Sequence, residues 1–235
     1  MGSLSTLTLA LLQVQGLEAP ALTPTEWLAQ TWRDGAEMMY PLAACALAGL
    51  VIIVWKLFDL TTKSARTRSF LREIDGLIAE RKIPEALALA RDSNTPAGRI
   101  LAAGLERHDE GTERVMKAIE NVGLIEMASL ESNLVWLATI SNVAPLLGFL
   151  GTVMGMIAAF NAIELAGEVD AIIVAEGIKV ALITTATGLA IAIPINIMHN
   201  YFVTQVDRLV IDMEESAQKM VDAIHTHEKE IAAVR

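Results

Sequence analysis

Residues 138–157 read ATISNVAPLLGFLGTVMGMI. The stretch carries no charge, and with its apolar flanks it is long enough to cross a bilayer as a helix, which takes roughly 20 residues. Ser141, Pro145, Gly148, Thr152, Gly155 and Ala159 recur at alternating steps of four and three, so on a helix they form one narrow stripe. Each is small, a proline, or carries a hydroxyl. Leu146, Leu147, Phe149, Leu150, Val153 and Met156 cover most of the remaining circumference. In membranes such stripes let helix backbones approach closely, and Gly151 with Gly155 adds small-xxx-small spacing. Lipid has no need of such a face; a neighbouring helix does.

Residues 177–200, GIKVALITTATGLAIAIPINIMHN, form a second apolar span with its own stripe: Ala181, Thr185, Gly188 and Ala192. Its internal proline, Pro194, removes a backbone donor and predicts a kink or a loosened turn. A short acidic loop joins the two spans. The pair reads as a membrane hairpin lining a common interior.

The rest of the chain fits this reading. Of its 235 residues 53% are hydrophobic and 20% charged, with a mean hydropathy of +0.45. Long apolar spans separated by charged segments give that combination; a single globular core does not. A net charge of −10 without a basic patch excludes nucleic-acid binding. The single cysteine, Cys45, allows no internal disulfide.

Residues 1–40 form an N-terminal segment. Its LTLALL run lacks a preceding basic residue and is short for a secretory signal, so we read it as lying on the membrane or the protein, with a cleaved signal as the other reading. Thr25 is placed to cap a short helix. Trp27, Trp32 and Tyr40 suit a membrane–water interface, and serve equally as helix-packing aromatics. Residues 41–60 are the first span, begun by Pro41, which is tolerated in a first turn, and closed by Trp55 and Lys56, a ring and a snorkelling amine. Residues 61–132 have the spacing of a soluble helical domain, with Pro84 in a first turn and a break at Asn94-Thr95-Pro96. The mixed charges from Glu106 to Glu120 read as a solvated helix face, with a docking surface as the other reading.

Residues 133–163 are the second span, 164–176 a short loop, 177–203 the third span, and 204–235 an amphipathic C-terminal helix. Basic residues Lys63, Arg66, Arg68 and Arg72 follow the first span, whereas only Arg33 is basic before it. The hairpin loop holds Glu164, Glu168, Asp170 and Glu176 and no cation. The positive-inside rule therefore places the N-terminus and the hairpin loop outside, and 61–132 with the C-terminus inside. His225 and His227 stand two apart and diverge on a helix, so no metal site is expected. Nor is a cofactor.

The chemistry inside the spans is sparse. An ionised group at the bilayer centre costs roughly 2.5 kcal/mol or more, so any found there is functional by default. The centres of the second and third spans hold none; Glu176 and Lys179 stand at one end of the third and His199 at the other. Threonines take their place: Thr152, Thr184, Thr185 and Thr187. A hydroxyl can orient water and hydrogen bonds but does not take up a proton at neutral pH. Thr184 and Thr187 read as bonding back to their own helix and cushioning close packing. For Thr152 and Thr185 a second reading competes with that one, in which they face a lumen and polarise it for a carboxylate from another chain.

APLLGFLGTVMGMI followed by ALITTATGLAIAIP resembles the signature of the MotA/TolQ/ExbB family, in its ExbB/TolQ branch and most like ExbB. The matching residues are Pro145, Gly148, Gly151, Thr152 and Gly155, then Thr185, Gly188 and Pro194. The resemblance implies an all-α inner-membrane protein of bacteria, with three spans and long cytoplasmic helices, assembled as a homo-oligomeric ring, generally a pentamer. The ring would surround single-span ExbD- or TolR-like partners, whose membrane aspartate shuttles protons down their gradient. A TonB- or TolA-like protein would then carry the movement to the outer membrane. Thr152 and Thr185 fall on the hydroxyl positions of the two motifs, which implies a place on the ion path. One departure stands out: Val180 occupies the place where such chains often carry a glutamate, with Glu176 one turn earlier.

Other readings compete. A structural membrane scaffold would use the stripes only for assembly. A TolQ-type subunit would serve outer-membrane integrity rather than TonB-dependent transport. The flagellar MotA branch generally has four spans, one more than this chain offers. An enzyme is not expected, since no nucleotide loop, metal-spaced set or nucleophile–base pair is visible.

Overall fold

The structure is a computed structural model that describes residues 31–33, 35–80, 82–167 and 169–234. The readings made above for residues 1–30, Thr25 and Trp27 among them, and for Glu168 and the side chain of His227 lie outside the described residues. Every regular element described is helical: α1 (Met39–Ala79), α2 (Ile83–Asp92), α3 (Pro96–Leu105), α4 (Thr112–Glu131), α5 (Leu134–Ala166) and α6 (Ala171–Val234), with short 3-10 turns at Ala36–Met38 and His108–Glu110. Among these, α1, α5 and α6 each contain a stretch long and apolar enough to cross a membrane.

The helices start and stop where local chemistry dictates. Pro84 stands in the first turn of α2, and Pro96 in that of α3. The Thr95 hydroxyl caps α3 by accepting the Gly98 amide at 3.1 Å. Asn133 adopts the left-handed conformation, φ 68°, in the turn between α4 and α5, a geometry Asn tolerates better than most residues. Gly167, at φ 72°, ends α5 and donates to the Ile163 carbonyl at 3.0 Å. Asp170 then opens α6 by accepting the Ile172 amide.

Two elements run further than hydropathy alone indicates. α1 continues nineteen residues beyond Leu60, to Ala79, because no proline breaks it and Leu71, Ile74 and Ile78 give it a buried stripe. α6 spans 64 residues and passes through Pro194 without interruption. Pro194, which is exposed, therefore does not end the helix.

The chain divides into two compact units. The first comprises the described residues up to Ala43 together with Pro145–Leu189, and contains the α5–α6 hairpin. The second comprises Ala44–Ala144 and Ala190–Arg235. Its core is a cluster of side chains from all six helices in which Ile74, Leu105, Val115, Leu137, Phe202 and Met220 are fully enclosed. Each such side chain contributes about 1.5–3 kcal/mol through burial.

The three apolar stretches are largely uncovered. Leu146, Phe149, Phe160, Leu182 and Ile193 expose between 59% and 65% of their surface. A helix this apolar, with its bulky residues turned outward, requires lipid or another chain around it. Together with the three long helices, that makes an all-α integral membrane fold.

Lys56 departs from the snorkelling amine expected at the end of the first span. It is 1% exposed. Its ammonium donates to the carbonyls of Leu130 at 2.7 Å and Ser132 at 3.0 Å. These belong to the last turn of α4 and the residue just beyond it, where helix carbonyls lack intrahelical partners and the dipole favours a cation. Lys56 therefore caps α4 rather than reaching for the interface.

Candidate functional site

Within the first unit, α5 and α6 pack antiparallel along their small residues. A Cβ added to Gly148 would lie 2.9 Å from the Thr184 carbonyl oxygen and 3.1 Å from the Thr185 Cα. One added to Gly155 would lie 2.9 Å from the Gly177 carbonyl oxygen and 3.1 Å from the Ala181 nitrogen. Both glycines meet backbone, which cannot swing aside. Gly151 faces the Thr184 side chain. The small stripes thus find each other within a single protomer, as close approach between membrane helices requires.

The buried seam is Gly148, Gly151, Gly155 and Ala159 on α5 and Gly177, Ala181, Thr184 and Gly188 on α6. It is turned by a fraction of a turn from the stripe read in the sequence. Pro145 and Thr152 flank it, half-buried. Further along the same helices, Ser141 is half-buried and bonds to its own Ala138 carbonyl, while Ala192 is buried.

The four threonines divide by partner. Thr184 is wholly buried and bonds back to Val180 and Ala181 at 3.0 and 2.9 Å. Thr187 bonds back to Ile183 at 2.8 Å. Both therefore cushion packing, as their sequence context predicts. Thr152 is half-buried and also bonds back, to Phe149 at 2.6 Å. Thr185 differs: its hydroxyl donates across the seam to the Gly148 carbonyl at 3.2 Å.

Thr152 follows Gly151 by one position and Thr185 follows Thr184 by one. At 100° per residue, equivalent steps on two antiparallel helices fall on the same flank of their seam. The fold therefore brings Thr152 and Thr185 together on one flank and turns Thr187 to the other.

Glu176 does not join them. With Val180, one turn on, it lines a cavity of about 420 Å³ whose walls are chiefly Gly, Ala and Met from the hairpin, with Glu37 contributing a second carboxylate. Neither Thr152 nor Thr185 borders that cavity. The hairpin thus carries a hydroxyl flank and a separate acidic hollow.

The second unit holds a polar contact that sequence reading missed. Arg99 on α3 makes a two-pronged pair with Glu126 on α4, whose side chain is only 8% exposed. The hydrogen bonds that Arg99 donates to Glu126 raise the pKa of its guanidinium above the ordinary value. A helical-spacing argument cannot find such a pair: the residues stand 27 positions apart, and their charges look like any others on an amphipathic helix. Among the described residues no cluster of His, Cys, Asp or Glu could hold a metal.

Residues 92–215 match the MotA/TolQ/ExbB proton channel family. The chain is 31% identical over 194 residues to a putative biopolymer transport protein ExbB homolog of Methanothermobacter thermautotrophicus, covering 82% of this chain and 68% of that one. It is 31% identical over 158 residues to the Tol-Pal system protein TolQ of Haemophilus influenzae, covering 61% of this chain and 68% of that one. It is 30% identical over 180 residues to the biopolymer transport protein ExbB of Pseudomonas putida, covering 71% of this chain and 54% of that one.

Proposed function

Because the chain belongs to the MotA/TolQ/ExbB proton channel family, we propose that it is the ring-forming subunit of an ExbB–ExbD-type motor. In this reading it sits in a bacterial inner membrane and uses the proton gradient to energise TonB-dependent transport across the outer membrane. The ring is a homopentamer with the α5–α6 hairpin innermost. A single-span ExbD-like partner in its centre supplies the aspartate that carries the proton. Thr152 and Thr185 line the path of that carboxylate.

The observation that carries this reading is the shared flank. Two hydroxyls share one flank of a seam built of Gly, Ala and the buried Thr184, in spans with no ionisable group at their centres. Each hydroxyl donates its hydrogen bond to a backbone carbonyl and keeps lone pairs that accept from the visiting carboxyl when it is protonated, without taking its proton away. This flank supports the motor over a scaffold, which would need the small residues but not the hydroxyls. The test is proton flux into vesicles holding the chain with its single-span partner, compared with vesicles holding the chain alone. Flux that needs both supports the motor; no flux from the assembled complex favours the scaffold.

The topology belongs to the same proposal. Lys63, Arg66, Arg68 and Arg72 on the continuation of α1 lie in the cytoplasm, and the loop between α5 and α6 lies in the periplasm. A TolQ-type role is the second reading, favoured by the similarity to the Haemophilus influenzae TolQ at the same 31% identity. Co-purification decides between them, since each role requires its own single-span partner, ExbD-like or TolR-like.

A further inference from the structure

A cavity of about 330 Å³ opens on the second unit where α1 leaves its apolar stretch. Trp55 and Phe58 form its apolar side, 53% and 77% exposed. Lys63 and Arg66 follow on the same face of α1, and Arg99 reaches in from α3. Asp59 is the single acidic residue in the lining, so the formal charge there is +2, from three cations and one anion. Lys63 is held by Asp59 at 3.0 Å, and Arg99 is oriented by Glu126. Arg66 is exposed, and no acceptor in the described residues engages it.

The arrangement has a direction. Aromatic rings occupy the end that continues the apolar stretch, and cations occupy the end that leaves it. Two of those cations are guanidiniums: Arg66 keeps its planar donor fork for phosphate oxygens, and Arg99, whose Nε and Nη2 donate to Glu126, has a donor on Nη1 left to offer. One of them is already fixed in place by a carboxylate behind it, so little side-chain freedom is lost on binding. Basic pockets beside membrane helices are where anionic headgroups dock.

We propose that this cavity binds an anionic phospholipid, its phosphate between Arg66, Lys63 and Arg99 and its acyl chains along Phe58 and Trp55. The rings select for a lipid over a free phosphate, since a soluble anion would have no use for two exposed aromatic side chains beside it. The site rests on the proposed function only in that α1 faces lipid in the assembly; which leaflet it meets follows from the topology and is not needed for binding.

The experiment uses the full chain in neutral-detergent micelles, where orientation has no meaning, so a wrong topology would leave its outcome unchanged. Native mass spectrometry would count bound phosphatidylglycerol and phosphatidylcholine at matched concentrations, with glycerol 3-phosphate as the chain-free headgroup. Phosphatidylglycerol should be retained in preference to both. Arg66→Gln should weaken that retention about fivefold, the effect of one lost cation near a membrane surface, and Arg66→Gln with Lys63→Gln by more than tenfold. Phe58→Ser should weaken both lipids. Arg72→Gln removes an exposed cation from the same helix away from the cavity and should change nothing. Equal retention of the two lipids would overturn the proposal, as would equal losses in Arg66→Gln and Arg72→Gln. Glycerol 3-phosphate binding as well as the lipid would overturn it too, leaving a free-phosphate site.

Discussion

The Thr185 hydroxyl donates to the Gly148 carbonyl across 3.2 Å, joining α6 to α5 at a point where both helices are otherwise held by contact alone. An interhelical hydrogen bond of this kind contributes about 0.6 kcal/mol in a membrane. That is enough to orient the hydroxyl and too little to hold the hairpin together. The packing of glycine against backbone does most of that.

Gly155 is the residue on which that packing is most exposed to test. Leucine there would drive its side chain into the Gly177 carbonyl and the Ala181 nitrogen, both backbone atoms within 3.1 Å of the added Cβ. Gly155→Leu should therefore disrupt the protomer's own hairpin, with any loss of assembly as a consequence. Gly155→Ala, with a single carbon added, should cost about 1–3 kcal/mol. Thermal unfolding of the purified protein reads both, and a Leu variant with an unchanged midpoint would remove the seam from the account.

Lys56 gives a second test, in the other unit. Lys56→Met keeps the bulk and removes the ammonium, leaving the Leu130 and Ser132 carbonyls without their donor. The expected loss is about 1–3 kcal/mol, the cost of an orphaned buried acceptor. Lys56→Arg should recover part of it. A Met variant as stable as the parent would mean that water serves the α4 terminus equally well.

Arg99 and Glu126 should show the signature of a pair with one buried end. Arg99→Met leaves the Glu126 carboxylate uncompensated at 8% exposure and should cost roughly 2–3 kcal/mol, less than a fully enclosed pair because Arg99 is itself half-exposed. Replacing both by methionine should cost less than replacing Arg99 alone. Chemical unfolding of the single and double variants checks the order. If the double variant were the weaker, the pair would be contributing more than it loses through desolvation.

Thiol accessibility tests the topology. In a Cys45→Ser background, Ser64→Cys should be shielded from an impermeant reagent in outer-membrane-permeabilised cells, and Val169→Cys should react. Val169 is the better probe of the loop because it is 77% exposed, whereas Gly167 sits at φ 72°, which a cysteine would strain. Labelling of Ser64→Cys alone would reverse the orientation.

Much of this fold is legible in the sequence because membrane helices announce themselves by length and hydropathy, and their contacts by small residues. The spans and the hairpin of α5 and α6 follow from those signals, as does the break at Asn94-Thr95-Pro96. The rotation of the seam does not. Stripes of period 3.5 that contain Gly148 and Gly155 are compatible with either flank, and only the partner helix selects Gly151 over Thr152 for burial. Lys56 misleads for a related reason: a lysine after a tryptophan at a span's end looks the same whether it reaches water or a helix terminus 74 residues away. Pro194 marks the loss of one backbone donor in the sequence, but not whether the helix goes on beyond it, and here it does. The Arg99–Glu126 pair and the cavity beside Arg66 need three helices to be placed before they exist at all.

The central claim is that the flank bearing Thr152 and Thr185 serves ion transfer. Its most direct test is the rate of proton uptake by vesicles containing the chain and its single-span partner, measured for Thr185→Val against Thr187→Val. Valine preserves the shape of threonine and removes its hydrogen bonding, so assembly and partner binding should persist in both. Thr185→Val should abolish partner-dependent proton flux, Thr152→Ala should follow it, and Thr187→Val, which loses only a bond to its own helix, should behave as the parent. Normal flux in Thr185→Val with flux abolished in Thr187→Val would contradict the account and put the ion path on the opposite flank of the hairpin.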